Sequence, residues 1–267
     1  MHPVLFRFGS SILYTYTVLL DVGLVCGLVV ACREGRRRGI APEHIMDAAL
    51  WTVVAGIAGG RIGYVLANQE YFAENLPEAL SIWKGGLSFQ GAFLAGLLTL
   101  FLYSVSRHLP FLALADMAAL GLALGQVFGW LGCLMSGCAY GLESSSTSSI
   151  LTRLSFDQPD IYGISASRFP TQLLGSAFSL ALFILLWAIR RWLFDSAQDK
   201  PFAGFTFTLY LLLSSGGQFL LEFTRGDEAI YWGPWRVSQW LYLAEAVLAL
   251  FPLAYLLQKS RTSLTKL

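Results

Sequence analysis

Three features of this 267-residue sequence predict an all-α, polytopic membrane protein. Charged residues make up 13% of the chain, about half of what a soluble domain carries, and mean hydropathy is +0.59. Apolar runs of about 20 residues, each long enough to cross a hydrocarbon core, recur along the whole length. Polar residues gather in short connections and in one longer segment, 139–170. These features predict a single integral membrane domain, 1–267, with about seven transmembrane helices and an external head loop. A net charge of +1, with no basic cluster interleaved with aromatics, argues against nucleic-acid binding.

The first span is expected from about Leu13 to Cys32, followed by the basic cluster Arg33, Arg36, Arg37 and Arg38. The N-terminus lacks the basic lead and cleavage site of a secretory signal, so this span is expected to stay in the mature protein. A second span, about Ile45 to Leu66, carries GGRIGY and so places Arg61 inside an apolar helix. The third runs from near Leu87 to before Arg107. The fourth starts near Leu112 and contains GQVFGWLGCLMSGCAYG. There Gly121, Gly125, Gly129 and Gly132 share a helix face that lets a neighbouring backbone come close. Residues 139–170, with ESSSTSS, Asp157, Pro159 and Asp160, read as a head or lid. Three more spans are expected near Thr171 to Ile189, Ala203 to Phe223 and Val237 to Leu257.

With seven spans the termini face opposite sides. Eleven of the 18 Lys and Arg residues fall on the Arg33 side and six on the other. This asymmetry predicts an external N-terminus and a cytoplasmic C-terminus. Trp83, Trp192, Trp232 and Trp235 fall near span ends, where interfacial aromatics belong.

Arg61, Gln90, Gln126, Gln172, Gln218, Glu222 and Arg225 lie in or at the ends of apolar spans. Polar groups there usually face a bundle interior or a wet cavity. Two readings stay open: a structural cluster, for instance Glu222 paired with Arg61 or Arg225, or a pocket in which an arginine forks onto the phosphate of an anionic lipid headgroup. Asp21, Asp116 and Glu245, also within spans, read as interhelical hydrogen-bonding partners or neutral carboxyls rather than catalysts. Cys26 and Cys32 read as small apolar side chains. No metal site, HxxxH, GxSxG or Walker pattern is present, and no cofactor is implied. Cys133 and Cys138 are five positions apart, on poorly matched faces of a regular helix. A bridge between them requires the helix to end between them, which Gly137 permits.

Taken together, GGRIGYVL (59–66), GGLSFQG (85–91), LGCLMSGCAYG (131–141), FPTQL (169–173) and EFTR (222–225) resemble the prolipoprotein diacylglyceryl transferase family. The resemblance covers nearly the whole chain. It implies a seven-helix bacterial inner-membrane protein that takes phosphatidylglycerol from the bilayer and transfers its diacylglyceryl group to the lipobox cysteine thiol of a prolipoprotein. Tyr16, Arg61, Tyr64, Gly141, Gln172, Glu222 and Arg225 match the family pattern. Elsewhere this chain departs from it. Gln90 stands where the family has a histidine, Trp130 and Gln218 where it has arginines, Cys133 and Ser136 where it has asparagines, and Cys138 where it has a glutamate. Phe169 and Gly175 replace a histidine and a glutamate beside the PTQL segment.

The resemblance thus implies substrate binding by Arg61, Gly141, Gln172, Gln218, Glu222 and Arg225. The catalytic candidates are Tyr16, Gln90, Cys133 and Cys138, the cysteines serving in proton handling or as a transient thioether. Two alternatives remain: a non-catalytic relative that binds lipid or lipopeptide, and a thiol redox membrane protein that uses Cys133 and Cys138.

Overall fold

The computed structural model describes residues 4–8, 11–82, 85–144, 153–196 and 203–264. The serine run 145–149 and the predicted interfacial Trp83 lie outside the described residues, as does the side chain of Trp192. Every long apolar run folds as a helix, because in hydrocarbon the backbone must satisfy its own hydrogen bonds. The long helices are α1 (Thr15–Arg37), α2 (Pro42–Ala67), α4 (Phe89–Ser106), α5 (Phe111–Ser136), α6 (Thr171–Ser196), α7 (Phe205–Leu221) and α8 (Val237–Leu264); α3 (Gln69–Glu74) is a short helix after α2. Six described helices are long and apolar enough to cross a membrane: α1, α2, α4, α5, α6 through Arg191 and α8 through Leu256. The chain is a multi-pass membrane protein. The remaining predicted span folds as α7, an apolar helix of 17 residues, extended by a 3-10 turn over Glu222–Thr224.

Local chemistry sets the helix ends. Pro42 opens α2 at a position where its missing N–H costs nothing. Ser88 caps α4, its hydroxyl accepting from Gly91 N at 3.3 Å. Gly137, at φ +76°, ends α5 between the two cysteines.

The chain forms two compact units. In the unit 31–117, α2 packs along α4 where glycines bring the backbones together: a Cβ on Gly59 would lie 2.7 Å from Gly91 O. Arg38 pairs there with Glu34 and with the buried Asp116, each at 3.2 Å, which bears out the partner role expected of Asp116.

The unit 1–30 with 118–267 holds the first half of α1, most of α5 and all of α6, α7 and α8. Its core gathers Leu120 and Ala123 with Leu182, Leu186 and Tyr210. The glycine face of α5 meets a matching face on α1. A Cβ on Gly27 would sit 2.9 Å from Gly121 O, and one on Gly132 would sit 2.9 Å from the ring of Tyr16. Gly129, by contrast, has nothing closer than Leu20 at 4.0 Å. Glu245 accepts from Ser215 Oγ across α7 and α8 at 3.0 Å, while Asp21 is exposed on α1.

Three hairpins each lead into a helix of this unit. They are β1 (Val4–Phe8) with β2 (Ser11–Tyr14) before α1, β3 (Phe156–Pro159) with β4 (Ser165–Arg168) before α6, and β5 (Tyr231–Trp232) with β6 (Trp235–Arg236) before α8. Two-stranded ribbons this short do not alter the all-α class. The predicted head loop contains β3 and β4, and no strand was expected from its polar composition.

Candidate functional site

In the unit 31–117 the site residue is Arg61. It is 7% exposed on α2 and donates to four backbone carbonyls: Nε to Ala79 O at 2.7 Å, Nη2 to Glu78 O at 2.6 Å, and Nη1 to Gly85 O and Gly86 O at 2.7 and 3.0 Å. Its guanidinium carbon also lies 5.6 and 5.3 Å from the ring centres of Tyr64 and Phe72. One side chain thus ties residues 78, 79, 85 and 86 to α2. Among the described residues none of its hydrogen-bond partners is a carboxylate, and its charge is met by carbonyl dipoles and the two rings. Gln90 stands in the first turn of α4, its Oε1 accepting from Ser88 Oγ at 3.4 Å. An amide in that place has no basic atom at neutral pH.

In the other unit three segments converge on Gly141. It bridges to Arg225, Leu142 N donates to Thr224 O at 2.9 Å, Gly226 N to Tyr140 O at 2.8 Å, and Phe169 N to Leu142 O at 2.9 Å. A Cβ on Gly141 would run into the Phe169 carbonyl, so close approach explains why glycine stands there. Thr171 at the start of α6 ties in through its hydroxyl, to Thr224 O at 2.8 Å. Gln172, 1% exposed, donates to Cys138 O at 3.1 Å, while its buried Oε1 has no hydrogen-bond partner among the described residues.

Beside this junction lies a quartet of charges. Arg225 donates through Nη1 to Glu222 Oε1 at 2.8 Å, through Nε to Asp227 Oδ1 at 2.9 Å and through Nη2 to Asp227 Oδ2. Arg236, on β6, donates through Nη1 to Glu222 Oε2 at 3.3 Å and Asp227 Oδ1 at 3.1 Å, and through Nη2 to the carbonyls of Arg225 and Asp227. Burial works to raise the Asp227 pKa, but the hydrogen bonds and charges of Arg225 and Arg236 outweigh it and hold the carboxyl below its ordinary value. Of the two partners expected for Glu222, the structure brings Arg225 to it; Arg61 takes carbonyls instead. Gln218 is buried one helical turn before Glu222. Asp227 and Arg236 were missed by sequence reasoning. Only their positions, two residues after EFTR and one before an apolar run, mark them.

A third cluster braces the head. Arg168, 2% exposed, donates to Glu143 at 2.9 Å, to Asp160 at 3.2 Å and to the carbonyls of Gln158 and Ile164, and its guanidinium lies 4.5 Å from the Tyr140 ring centre. Asp160 Oδ1 in turn caps the hairpin turn, accepting from Tyr162 N and Ile164 N, both at 2.9 Å. Against the effect of burial, those two N–H groups and Arg168 hold the Asp160 carboxyl below its ordinary pKa.

Cys133 and Cys138 form a disulfide, with Cα atoms 4.7 Å apart. α5 ends between them as a bridge requires, and Cys138 N donates back to Cys133 O at 3.1 Å. In this state neither sulfur is a thiol, so neither handles a proton. Tyr16 packs on Gly132, the residue before this bridge.

Four of the eight departures from the family pattern lie in two touching pairs. The positions of a family asparagine and glutamate are the two halves of the disulfide. Those of a family arginine and glutamate, Trp130 and Gly175, pack indole against bare backbone: a Cβ on Gly175 would run into the Trp130 ring.

The family model for prolipoprotein diacylglyceryl transferase matches residues 3–255. A curated Clostridium perfringens protein, phosphatidylglycerol–prolipoprotein diacylglyceryl transferase 2, is 31% identical over 220 residues, covering 82% of this chain and 81% of its own. A phosphatidylglycerol–prolipoprotein diacylglyceryl transferase of Listeria welshimeri is 32% identical over 258 residues, 96% of this chain and 90% of its own. Its namesake from Acaryochloris marina is 31% identical over 260 residues, covering 97% and 92%. With nearly the whole length matched and the GGRIG, PTQL and EFTR segments built into defined junctions, the chain belongs to the prolipoprotein diacylglyceryl transferase family.

Proposed function

We propose that this protein transfers the diacylglyceryl group of phosphatidylglycerol to the lipobox cysteine of a prolipoprotein. The observation that carries this reading is the match to the family over residues 3–255. In the reaction the cysteine sulfur forms a bond to the glycerol carbon of the lipid. The bond from that carbon to the phosphate oxygen breaks, and its electron pair leaves on glycerol phosphate. The thiol proton leaves to the departing phosphate or to water. The chain must therefore hold a phosphodiester, stabilise the charge that develops on the leaving oxygen and admit a lipid and a peptide. Arg225, its side chain 24% exposed, and Arg61, which pairs with no carboxylate among the described residues, are each assigned to binding the lipid headgroup. Gly141, Gln172 and Gln218 are assigned to substrate binding, Glu222 orients Arg225, and Tyr16 orients the substrate. Gln90 serves as a hydrogen-bonding group, and the Cys133–Cys138 disulfide as a clamp on the end of α5.

The whole chain works as one integral membrane domain in the bacterial inner membrane, with its N-terminus outside and its C-terminus in the cytoplasm. The Lys and Arg asymmetry supports this orientation, and so does the disulfide, since such bonds persist on oxidising faces. The test is transfer by purified protein from labelled phosphatidylglycerol to a lipobox peptide, beside an active relative. A thioether-linked diacylglyceryl peptide is expected. Phosphatidylglycerol binding without turnover overturns the reading in favour of a lipid-binding relative.

A further inference from the structure

Of the four charges in the Glu222 quartet, one pair is inner and one outer. The side chains of Glu222 and Arg236 are 3% and 5% exposed, and those of Asp227 and Arg225 are 18% and 24% exposed. The outer pair is a fork-on-fork contact: both oxygens of Asp227 take the Nε and Nη2 edge of Arg225. That edge is also the one that matches two oxygens of a phosphodiester. The other guanidinium nitrogen, Nη1, is held separately by Glu222 at 2.8 Å, so Arg225 keeps its place when the fork is vacated. Asp227 likewise has a second partner, since Arg236 Nη1 lies 3.1 Å from its Oδ1. The residue stands in the segment 226–230, which has no regular secondary structure.

Resting on the reading of Arg225 as a headgroup ligand, we propose that Asp227 is a built-in anion that occupies the phosphate fork of Arg225 between turnovers and withdraws onto Arg236 when a phosphodiester binds. Two arginines and two carboxylates sum to zero, so the resting quartet is neutral. A phosphate that displaces Asp227 leaves Arg225 paired to Glu222 and phosphate, and Arg236 paired to Asp227, so each anion keeps a cationic partner while the cluster takes on one net negative charge. After transfer the carboxylate competes again for the fork and expels glycerol phosphate. Asp227 therefore sets affinity and release; it is a positioning residue and performs no chemistry.

The test uses the full-length protein in nanodiscs. Phosphatidylglycerol binding is measured at increasing lipid fractions, and glycerol phosphate is measured as an inhibitor of transfer, for the wild type, Asp227→Asn, Asp227→Ser and Arg225→Gln. Asn keeps the shape and loses the charge, while Ser removes the fork, so a folding fault peculiar to one variant does not decide the result. Expected are about tenfold tighter binding of lipid and of glycerol phosphate in both Asp227 variants, with slower product release, and weaker binding of both in Arg225→Gln. If Arg225→Gln weakens binding while the Asp227 variants bind as the wild type or more weakly, the built-in anion is overturned and the Arg225 reading stands. Tightening toward glycerol phosphate alone overturns the lipid half of the proposal. Unchanged lipid binding in Arg225→Gln overturns the reading of Arg225 and the proposal with it.

Discussion

Replacing Arg61 by lysine keeps the charge and removes the fork. In the wild type four carbonyls, from residues 78, 79, 85 and 86, converge on three nitrogens at 2.6–3.0 Å. A lysine ammonium is a single point on a longer, looser stem, and it reaches two of these carbonyls at a time. Two others are left without a donor in a site where Arg61 itself is 7% exposed. At about 1–3 kcal/mol for each unsatisfied buried group, the contact of residues 78, 79, 85 and 86 with α2 loses about 2–6 kcal/mol of local stability. The lower figure already raises its opening about thirtyfold, since 1.4 kcal/mol is a factor of ten. Hydrogen exchange read by mass spectrometry on peptides covering 76–88 measures this directly. Ser88 N, bonded to Gly60 O at 2.9 Å, is a reporter across the connection. Arg61→Lys is expected to exchange at least thirtyfold faster there, with little change in α5 and α6, and to lose transfer activity although the charge remains. Wild-type protection and wild-type transfer in Arg61→Lys would refute the claim that the shape of the guanidinium, beyond its charge, is what the protein uses.

Three further outcomes are expected. Cys138→Ser removes a clamp that spans five positions; chain-entropy reasoning gives a loss of about 2 kcal/mol, read as a lower thermal midpoint in detergent that matches wild type plus reductant. Gly27→Leu forces a side chain toward Gly121 O, 2.9 Å from where its Cβ would stand. It should destabilise by about 1–3 kcal/mol or more in a denaturant titration, with Gly27→Ala milder. The carboxyls of Asp160 and Asp227 are held below their ordinary pKa in the folded protein, so their stabilising contribution is present above about pH 4, where they ionise even when unfolded. It is lost as pH falls through the depressed values. Thermal stability should therefore be flat near neutrality and fall in acid, and an Asp227→Asn variant should show a shallower fall.

The sequence by itself determined the class, the helices and the family. Apolar runs with few charges can fold in only one way in hydrocarbon, so helix positions followed to within a few residues, as with α4 at 89–106 against a span expected from Leu87 to before Arg107. The glycine spacing on α5 announced a close helix contact, and the motif segments announced which residues to examine. What the sequence left open were partners, because these depend on distance through space. Nothing in the spacing of Arg61 says that its fork ties residues 78, 79, 85 and 86 to α2, nor that Arg236, eleven residues beyond Arg225, shares its carboxylates. The cysteines at 133 and 138 are mismatched on a helix, and only the left-handed turn at Gly137 brings them to 4.7 Å. The three hairpins were illegible for a related reason: strands of two to five residues carry too little periodicity to read, and they exist because tertiary contacts, such as the Arg168 and Asp160 brace, hold them. Periodicity and solvent decide which segments become helices, whereas geometry across the fold decides which charges neutralise one another and which face a substrate.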